Sequence, residues 1–520
     1  MANREELLII RSARAGHPQA QLALGKRYLF GSTNLPQSHP TALHWLEKAA
    51  EQNQQEAWML IGEHVSYAVA LQAEDPLRVA LWYERAFEGK SARAGLVFAM
   101  LVFSCWLRAD DGLRQKSMRA LTGAAEAGLA DAQWLLAQQL GLHELLSGGP
   151  QPVTAQINKR RSQIIELVTK AALGGIADAQ YAMADYWWQQ GDANKFLLWA
   201  LPIAQDLDRR CHGPSIHRIT PSKTQLSLFL RCAQAIMGQA EVNLRLAERY
   251  MRIAAEGGDA KAQLEYGLLA ARMDENGKRL RRLPGVAHYK KAIRWLSLAA
   301  ESGEAAAWFA ISRIYLKPEF SRRSIKESRR CLELSGAAGH RAAQLELAHL
   351  AWRSRRVDPR ADVRAVYWLQ KAASQGDQQA AAMLNRIAPP VRRTEWAIAA
   401  RASFNRDVSS QYPFLAARVE LAYWFGLSRA EALLINVESS DHGHCLEVDI
   451  RKSHPRSRRR LIQVETGEQR RALERAARIF DIAEPHGRVG PEGNYRQRLY
   501  RFRSIFSPRR ESQSRRSRSS

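Results

Sequence analysis

The sequence predicts an all-α protein, a right-handed α-solenoid of helix–turn–helix repeats, followed by a small α+β module. Two observations indicate this fold class. A four-position pattern of large and small residues recurs through residues 1–390, mostly at intervals of 36 to 38 residues. Beyond residue 440, apolar and polar residues alternate, which is typical of β-strands. A repeat of this length is the signature of stacked helical hairpins that bury their apolar faces against one another.

The pattern is clearest from Trp368, where a large residue is followed by Ala372 at +4, Gly376 at +8 and Ala380 at +12. Residues four apart lie on one helical face, so a small residue at +4 lets another helix approach closely. Glycine at +8 ends the helix in the left-handed conformation, and alanine at +12 begins the next helix. Copies begin at residues 45, 82, 120, 167, 250, 295, 331 and 368.

Two of these slots, the large residue at position 0 and the turn residue at +8, give the residues that we expect to be structural in the array. We expect the tryptophans in the large slot to be mostly buried between helices, and these are Trp45, Trp82, Trp295 and Trp368. The turn slot holds Gly128, Gly175, Gly258, Gly303, Gly339 and Gly376. Asn53 and Lys90 take that slot in the first two full copies, and asparagine is the usual substitute for glycine there.

The pattern resembles the Sel-one-like repeat, a relative of the tetratricopeptide repeat. The resemblance is carried by Ala20-Gln21 to Tyr28, by Trp45 to Ala50, and by Ala-Glu-x-Gly runs that begin at Ala125, Ala255 and Ala300. It implies a scaffold that holds a protein partner, and it implies no chemistry.

Composition adds a charge preference. The net charge of +25 favours a polyanionic partner, nucleic acid or an anionic surface, although a solvated basic face would give the same count. Five scattered cysteines indicate reduced, buried thiols. The charged start, Met1 to Glu6, is not a secretory signal, and no apolar run is long enough to span a bilayer. We therefore expect a cytoplasmic protein with no membrane partner.

The chain divides into three parts on sequence grounds. Residues 1–390 form the solenoid, which Pro389-Pro390 ends because proline lacks the amide hydrogen that a helix needs. Residues 391–505 form a basic module, and residues 506–520 form an Arg/Ser tail that we expect to be disordered. Residues 391–520 carry 26 Lys and Arg against 15 Asp and Glu.

The sequence of the module predicts four elements in the order helix, helix, β-hairpin, helix. Phe414 to Trp424 is an amphipathic stretch, Gly426 is a turn, and Ser428 to Ile435 is a second helix with Ser428 as its N-cap. Residues 445–450 and 460–464 alternate as strands, with a basic connection between them, and residues 467–477 are helical again.

This order resembles the first half of the catalytic domain of tyrosine recombinases, the phage-integrase family. The matching pieces are the Phe-Gly-Leu-Ser-Arg-Ala-Glu-Ala run at 425–432, the hairpin at 449–460, and the segments 466–473 and 490–499. The resemblance implies contact with DNA and an origin in a mobile genetic element.

Departures from that family exclude catalysis. The family's catalytic arginine directly follows Gly-Leu, but Ser428 stands there and Arg429 comes one residue late, which turns the side chain by about 100°. The later His/Lys-x-Arg box is absent, since His486 is followed by Gly-Arg-Val. Tyr495 and Tyr500 precede any second box, so no nucleophile is in place, and we expect no enzymatic activity.

The candidate DNA contacts are basic residues of the module. Lys452 matches the family's hairpin lysine, and four arginines on the hairpin rim have the chemistry to grip phosphates, although a solvated turn explains them equally well. The complete set is Arg429, Lys452, Arg456, Arg458, Arg459 and Arg460. His442, His444 and Cys445 stand too close together for a tetrahedral site, so we predict no metal and no cofactor.

The sequence leaves three functional hypotheses. The first is a non-catalytic scaffold whose array binds a protein while the module binds DNA. The second is a purely protein-binding adaptor that carries a decayed integrase remnant. The third is an accessory subunit of a recombinase in DNA integration, which borrows its missing residues from a partner.

Overall fold

A computed structural model describes residues 4–32, 35–146, 155–212, 219–280, 285–481 and 492–506. The chain divides into two units, residues 1–257 and residues 258–520. Both are mostly helical and are built by packing successive helices against one another, which is the construction of an all-α solenoid. The handedness of the array stays a prediction.

The described residues of the first unit form helices joined by turns and loops, with no β-strand among them. Helices begin at capping residues where the sequence supplies them; Ser38, Asp75 and Asp110, for example, accept backbone amides of the first turn. The helices are α1 (Arg4–Arg14), α2 (Pro18–Phe30), α3 (His39–Glu51), α4 (Gln55–His64), α5 (Tyr67–Leu71), α6 (Pro76–Glu88), α7 (Ala92–Ser104), α8 (Asp111–Glu126), α9 (Ala130–Gln139), α10 (Leu142–Leu146), α11 (Ala155–Leu173), α12 (Ala177–Gln189), α13 (Ala193–Cys211), α14 (Lys223–Met237) and α15 (Leu244–Glu256).

The second unit begins with further repeats and ends in the basic module. Its repeat helices are α16 (Ala260–Ala271), α17 (Tyr289–Glu301), α18 (Ala305–Ile314), α19 (Ile325–Ala337), α20 (Arg341–Ser354), α21 (Ala361–Ser374) and α22 (Gln378–Ile387). The module contains α23 (Glu395–Ser403), α24 (Arg406–Gln411), α25 (Pro413–Phe425), α26 (Arg429–Leu434), α27 (Val437–Ser440), β1 (Cys445–Val448), β2 (Arg460–Gln463), α28 (Gly467–Asp481) and α29 (Tyr495–Phe506).

Residues 413–481 follow the predicted order, with a short helix added between the second helix and the hairpin; α23 and α24 precede them and α29 follows. Strands β1 and β2 pair antiparallel, with Cys445 opposite Gln463 and Val448 opposite Arg460. Apolar residues of α25, α26, the hairpin and α28 form one core. A second cluster joins Cys445 and Leu461 of the hairpin to apolar residues of the last repeat. The hairpin therefore packs on the array, although the sequence placed a domain boundary at residue 390.

Candidate interaction surfaces of the array and the basic module

The repeat turns share one backbone geometry. The six glycines of the turn slot have φ between 83° and 100°. At Gly303, the amide donates to the carbonyl of Ala300 at 3.1 Å, while the amide of Glu304 donates to the carbonyl of Ala299 at 3.0 Å. These two bonds form a Schellman motif, which satisfies carbonyls at the end of the helix. Asn53 and Lys90 adopt the same left-handed region, with φ of 60° and 72°.

Small residues at +4 and +12 are the deepest positions of each repeat. Because they have no exposed surface, they set how closely neighbouring helices approach. The residues at +4 are Ala49, Ala86, Ala124, Ala171, Ala254, Ala299, Ser335 and Ala372, all 0% exposed. The residues at +12 are Ala57, Ala94, Ala132, Ala179, Ala262, Ala307, Ala343 and Ala380, also all 0% exposed.

The tryptophans of the large slot are less uniform than the sequence predicts. Trp82 is buried, whereas Trp45, Trp295 and Trp368 are only half-buried. The residue after each half-buried ring is the fully buried one, because a helix turns each side chain by about 100° from the previous one. Those core residues are Leu46, Leu296 and Leu369. Three of the four tryptophans therefore lie partly at the surface.

In several repeats a glutamine follows the alanine at +12 and bonds the preceding turn, a role that sequence reasoning missed. The side-chain amide of Gln344 donates to the carbonyl of Gly336 at 3.0 Å, and Gln133 and Gln180 make the equivalent bond eight residues back. The amide of Gln375, in the next repeat, donates to the Gln344 side-chain oxygen at 3.1 Å. The recurring Ala-Gln pair was the available signal, and at Gln344 it marks a partly buried polar bridge between repeats.

Several repeats place a cation over the tryptophan of the large slot, three residues further along the same helix. The Lys48 ammonium is 5.1 Å from the Trp45 ring centre, and the Arg85 guanidinium is 4.9 Å from that of Trp82. Lys371 is likewise 5.8 Å from the ring centre of Trp368. Each pair presents a positive charge on an aromatic base, which is a favourable arrangement for recognition.

The basic hairpin is attached to the last repeat through Arg459. Its Nε donates to Glu447 at 2.7 Å, and its Nη2 donates to Asp362 at 3.0 Å and to the carbonyl of Pro359 at 3.1 Å. The hydrogen bond to Asp362 raises the pKa of this guanidinium further above its ordinary value. A side chain engaged by two carboxylates is not available to grip a phosphate, so Arg459 is removed from the set of candidate DNA contacts.

Arg460 is also engaged, within the module. Its Nη2 lies 2.9 Å from Glu431 and 3.1 Å from the carbonyl of Gly426. Glu431 completes the predicted N-terminus of α26, since its carboxylate accepts the Ser428 amide while the Ser428 hydroxyl accepts the Glu431 amide. Arg460 therefore stabilises a helix start and is likewise not a free phosphate ligand.

The other candidates are exposed. Lys452, Arg456 and Arg458 lie on the hairpin connection, and none of them forms an ion pair with the residues that the structure describes. The Arg429 guanidinium lies 6.0 Å from the ring centre of Trp396 and 5.9 Å from that of Phe502. Of the six predicted contacts, four thus keep an exposed charge that no carboxylate of the described residues engages, whereas Arg460 is exposed but paired with Glu431.

A buried arginine that the sequence analysis did not single out organises the end of the module. Arg418 is 4% exposed and donates to Glu492 from Nε at 2.8 Å and from Nη2 at 2.7 Å. Its Nη1 donates to the carbonyls of Ala432 and Ile435 at 2.8 and 3.1 Å. The only sequence signal was an arginine within the apolar stretch Phe414–Trp424.

The residues weighed for catalysis do not form a site. Arg429 begins α26 beside aromatic rings, Tyr495 begins α29, and the Tyr500 side chain is 74% exposed. His486 and the tail at 507–520 lie outside the described residues. His442 bonds Glu447 at 2.9 Å and His444 bonds the carbonyl of Val363 at 2.9 Å. Within the described part of the chain, no group of His, Cys, Asp or Glu could hold a metal ion.

Two further features are the state of the cysteines and the length of the apolar helices. None of the five cysteines forms a disulfide with another described residue, and burial raises the pKa of Cys232 and Cys445 to about 12 and that of Cys331 to about 11. These thiols are therefore poor nucleophiles. Among the described helices, none combines the length and the apolar character that crossing a membrane requires.

Comparison with known proteins identifies the repeats. The model of the Sel1 repeat matches residues 18–54, 235–259, 260–304 and 341–377. Three of these segments pair the second helix of one predicted copy with the first helix of the next, as in α20 with α21. The chain thus contains Sel1 repeats, which are suited to protein–protein interaction. The likeness of residues 391–505 to tyrosine recombinases stays a resemblance of sequence.

Two solved structures are similar to the chain. One is a protective antigen present in uropathogenic Escherichia coli strains, described as displaying an SLR fold; it is 18% identical, with 94% of this chain and 99% of that chain covered and a TM-score of 0.41. The other is a Sel1 repeat protein from Oxalobacter formigenes, 19% identical, with 66% and 90% of the two chains covered and a TM-score of 0.30.

Proposed function

We propose that this protein is a non-catalytic scaffold that binds a protein partner through its Sel1 repeat array. The observation that supports this most directly is the recurrence of Lys48 on Trp45, Arg85 on Trp82 and Lys371 on Trp368. Equivalent positions in different repeats present the same helical face, so these pairs belong to one kind of surface. Tryptophan and arginine are the residues that most often dominate binding energy at protein interfaces.

In this proposal the module at 391–505 extends and closes the end of the array. A repeat array needs a terminal element that covers its last apolar face. The hairpin contacts the last repeat through Cys445, Leu461 and Arg459, which suits that role. We further propose a cytoplasmic location, because five cysteines that form no disulfide among the described residues suit a reducing compartment.

Site-specific photo-cross-linking tests the scaffold. A photoreactive residue at Lys48, Arg85 or Lys371 is expected to give the same discrete protein adduct in cells. Controls at Glu63 and Asn385, which are exposed on second helices, are expected to give none. Adducts at the controls alone, or at no position, would reject the helical faces that carry these pairs as binding faces.

A second candidate function is DNA contact through the hairpin, which the exposed charges of Lys452, Arg456 and Arg458 favour. Each phosphate neutralised contributes a slope of about −0.9 in log K against log salt for duplex DNA. Replacing these three residues with alanine is therefore expected to flatten the slope by about three units. If DNA affinity is unchanged in that variant, or absent in the native protein, the adaptor hypothesis is preferred.

A further inference from the structure

Two arginines of the module converge on one aromatic pair. The Arg393 guanidinium carbon lies 4.4 Å from the ring centre of Tyr423 and 5.3 Å from that of Trp424. The corresponding distances for Arg401 are 4.0 and 5.1 Å. Both guanidinium carbons lie near the same Tyr423 ring centre. The distance between them is therefore at most the sum of these two distances. Both arginines are exposed, and both rings are half-buried.

These two arginines have no carboxylate partner among the described residues, in contrast to several other arginines of the module. Arg418, Arg451 and Arg475 form ion pairs with Glu492, Asp449 and Glu420. Neither Arg393 nor Arg401 forms such a pair with any residue in the described ranges. Two like charges held this close without a counter-ion repel each other, and a bound anion relieves that repulsion.

The backbone holds Arg393 in place. Gly426 ends α25 in the left-handed conformation with φ of 56°, and a Cβ built on it would lie 2.2 Å from the carbonyl oxygen of Arg392. The segment that follows is fixed to the carbonyl of Leu427, which accepts the Trp396 indole N–H at 3.1 Å. Because Arg401 lies on α23, which packs against α25, both guanidiniums are positioned before a ligand arrives.

We propose that Arg393 and Arg401 form an anion clamp that binds neighbouring carboxylates of an acidic polypeptide segment. The proposal rests on the scaffold role for its choice of a protein partner. Arginine forms paired, parallel hydrogen bonds with a carboxylate, and the contacts with Tyr423 and Trp424 restrict where the two guanidiniums lie. A phosphate backbone carries one charge per about 1.7 Å of duplex axis, so it is matched by a longer row of cations than two arginines provide.

The test measures binding of a labelled short polyglutamate peptide to the full-length protein by fluorescence anisotropy. Polyglutamine of the same length and a short DNA duplex are the comparison ligands. The double substitution Arg393→Gln with Arg401→Gln is expected to weaken polyglutamate binding at least tenfold. The matched control is Arg406→Gln with Arg478→Gln, which removes two exposed arginines that have no ion pair among the described residues. It is expected to change affinity less than twofold.

Two further variants separate geometry from charge. Arg393→Lys with Arg401→Lys keeps both charges but loses the planar forks, so binding is expected to stay weakened at least fivefold. Gly426→Ala forces the Arg392 backbone to move, and it is expected to weaken polyglutamate binding as well. Full affinity in the lysine variant would reduce the clamp to simple charge and overturn the proposal.

Other outcomes are equally decisive. Equal losses in the clamp and control variants, or a clamp-dependent affinity for DNA that exceeds that for polyglutamate, would overturn it too. Photo-cross-linking of the array and peptide binding to the clamp are measured separately. A partner captured at Lys48 and Lys371, together with unaltered peptide binding in the clamp variant, leaves the scaffold standing and rejects the clamp.

Discussion

Nη2 of Arg459 lies 3.0 Å from Oδ1 of Asp362, although 97 residues separate the two along the chain. This contact joins the hairpin of the basic module to the first turn of α21, in the last repeat. Two further hydrogen bonds reinforce this contact. The side-chain amide of Gln463 donates to the carbonyl of Ala388 at 2.6 Å, and that of Gln370 donates to the carbonyl of His444 at 3.1 Å. The module is therefore attached by polar side chains as well as by the shared apolar cluster.

Replacing Arg459 with alanine is expected to loosen the hairpin from the last repeat. The change leaves Asp362 and Glu447, both largely buried, without their cation, which costs about 2–3 kcal/mol for hydrogen bonds to charged groups. Hydrogen exchange of the β1 amides is expected to accelerate correspondingly. Arg458→Ala is the matched control, because Arg458 is exposed and is expected to change stability by less than about 0.5 kcal/mol. Equal exchange in both variants would mean that the ion pair does not hold the hairpin.

Glu431→Gln is expected to destabilise the start of α26 by about 1–2 kcal/mol at neutral pH, because the capping box and the bond to Arg460 both weaken. Burial alone would raise the pKa of Glu431, but the hydrogen bonds from Arg460 and from the Ser428 amide bring that pKa below the ordinary 4.5. A lowered folded-state pKa means that the stabilisation is complete above pH 4.5 and is lost as pH falls through the folded value.

Urea unfolding of native protein and of Glu431→Gln at several pH values measures this effect. The stability difference between them is expected to be constant near neutrality and to shrink below about pH 4.5. Glu438→Gln, an exposed carboxylate close by, serves as the control and is expected to show no such difference. A difference that grows on acidification would contradict the assignment.

The local elements of the module were predictable because their signals are local. The Ser428–Glu431 capping box lies within four residues, and the alternation at 445–450 and 460–464 predicts β1 and β2 to within two residues. The partners of the arginines were not predictable in this way. Arg458, Arg459 and Arg460 look alike in sequence, yet only the last two reach carboxylates brought near by the fold.

In the array, too, the features that repeat along the sequence were predictable, whereas those that depend on packing between helices were not. The four-position pattern contains the small slots and the turns, because a helix repeats its faces regularly. It does not say which side of position 0 faces inward, so Trp45 and Trp368 were expected at the depth that Leu46 and Leu369 occupy. The Gln344–Gln375 bridge depends on the distance between repeats, which packing sets and one repeat does not contain.

Packing at the small slots can be tested at Ala299, which is 0% exposed within the core of the second unit. Ala299→Leu keeps helix propensity but inserts three carbon atoms where helices touch, and it is expected to destabilise by about 1–3 kcal/mol or more. Ala337→Leu is the control, because Ala337 is exposed at the end of α19. Thermal unfolding that is lowered equally by both substitutions would contradict the role of the small slot.

The repeat turns provide a pair of substitutions with opposite expected signs. Gly303 has φ of 100°, and a Cβ added there would meet no atom within 4 Å. The cost of Gly303→Ala is therefore purely conformational, about 1–2 kcal/mol for a left-handed residue, and is partly offset by the lower entropy of the unfolded chain. A net destabilisation of about 1 kcal/mol is expected. Gly112→Ala, on the exposed first turn of α8, is the control and is expected to be neutral or slightly stabilising.

Lys90 occupies the same turn position with φ of 72°, so it already bears the strain that Gly303 avoids. Lys90→Gly is expected to stabilise the first unit by about 0.5–1 kcal/mol, because relief of a left-handed side chain exceeds the entropy that glycine adds to the unfolded state. Differential scanning calorimetry of the two variants and the control checks both signs. If Lys90→Gly destabilises the protein as Gly303→Ala does, the turn slot is not selected for its backbone conformation, and the physical basis of the repeat pattern at +8 is wrong.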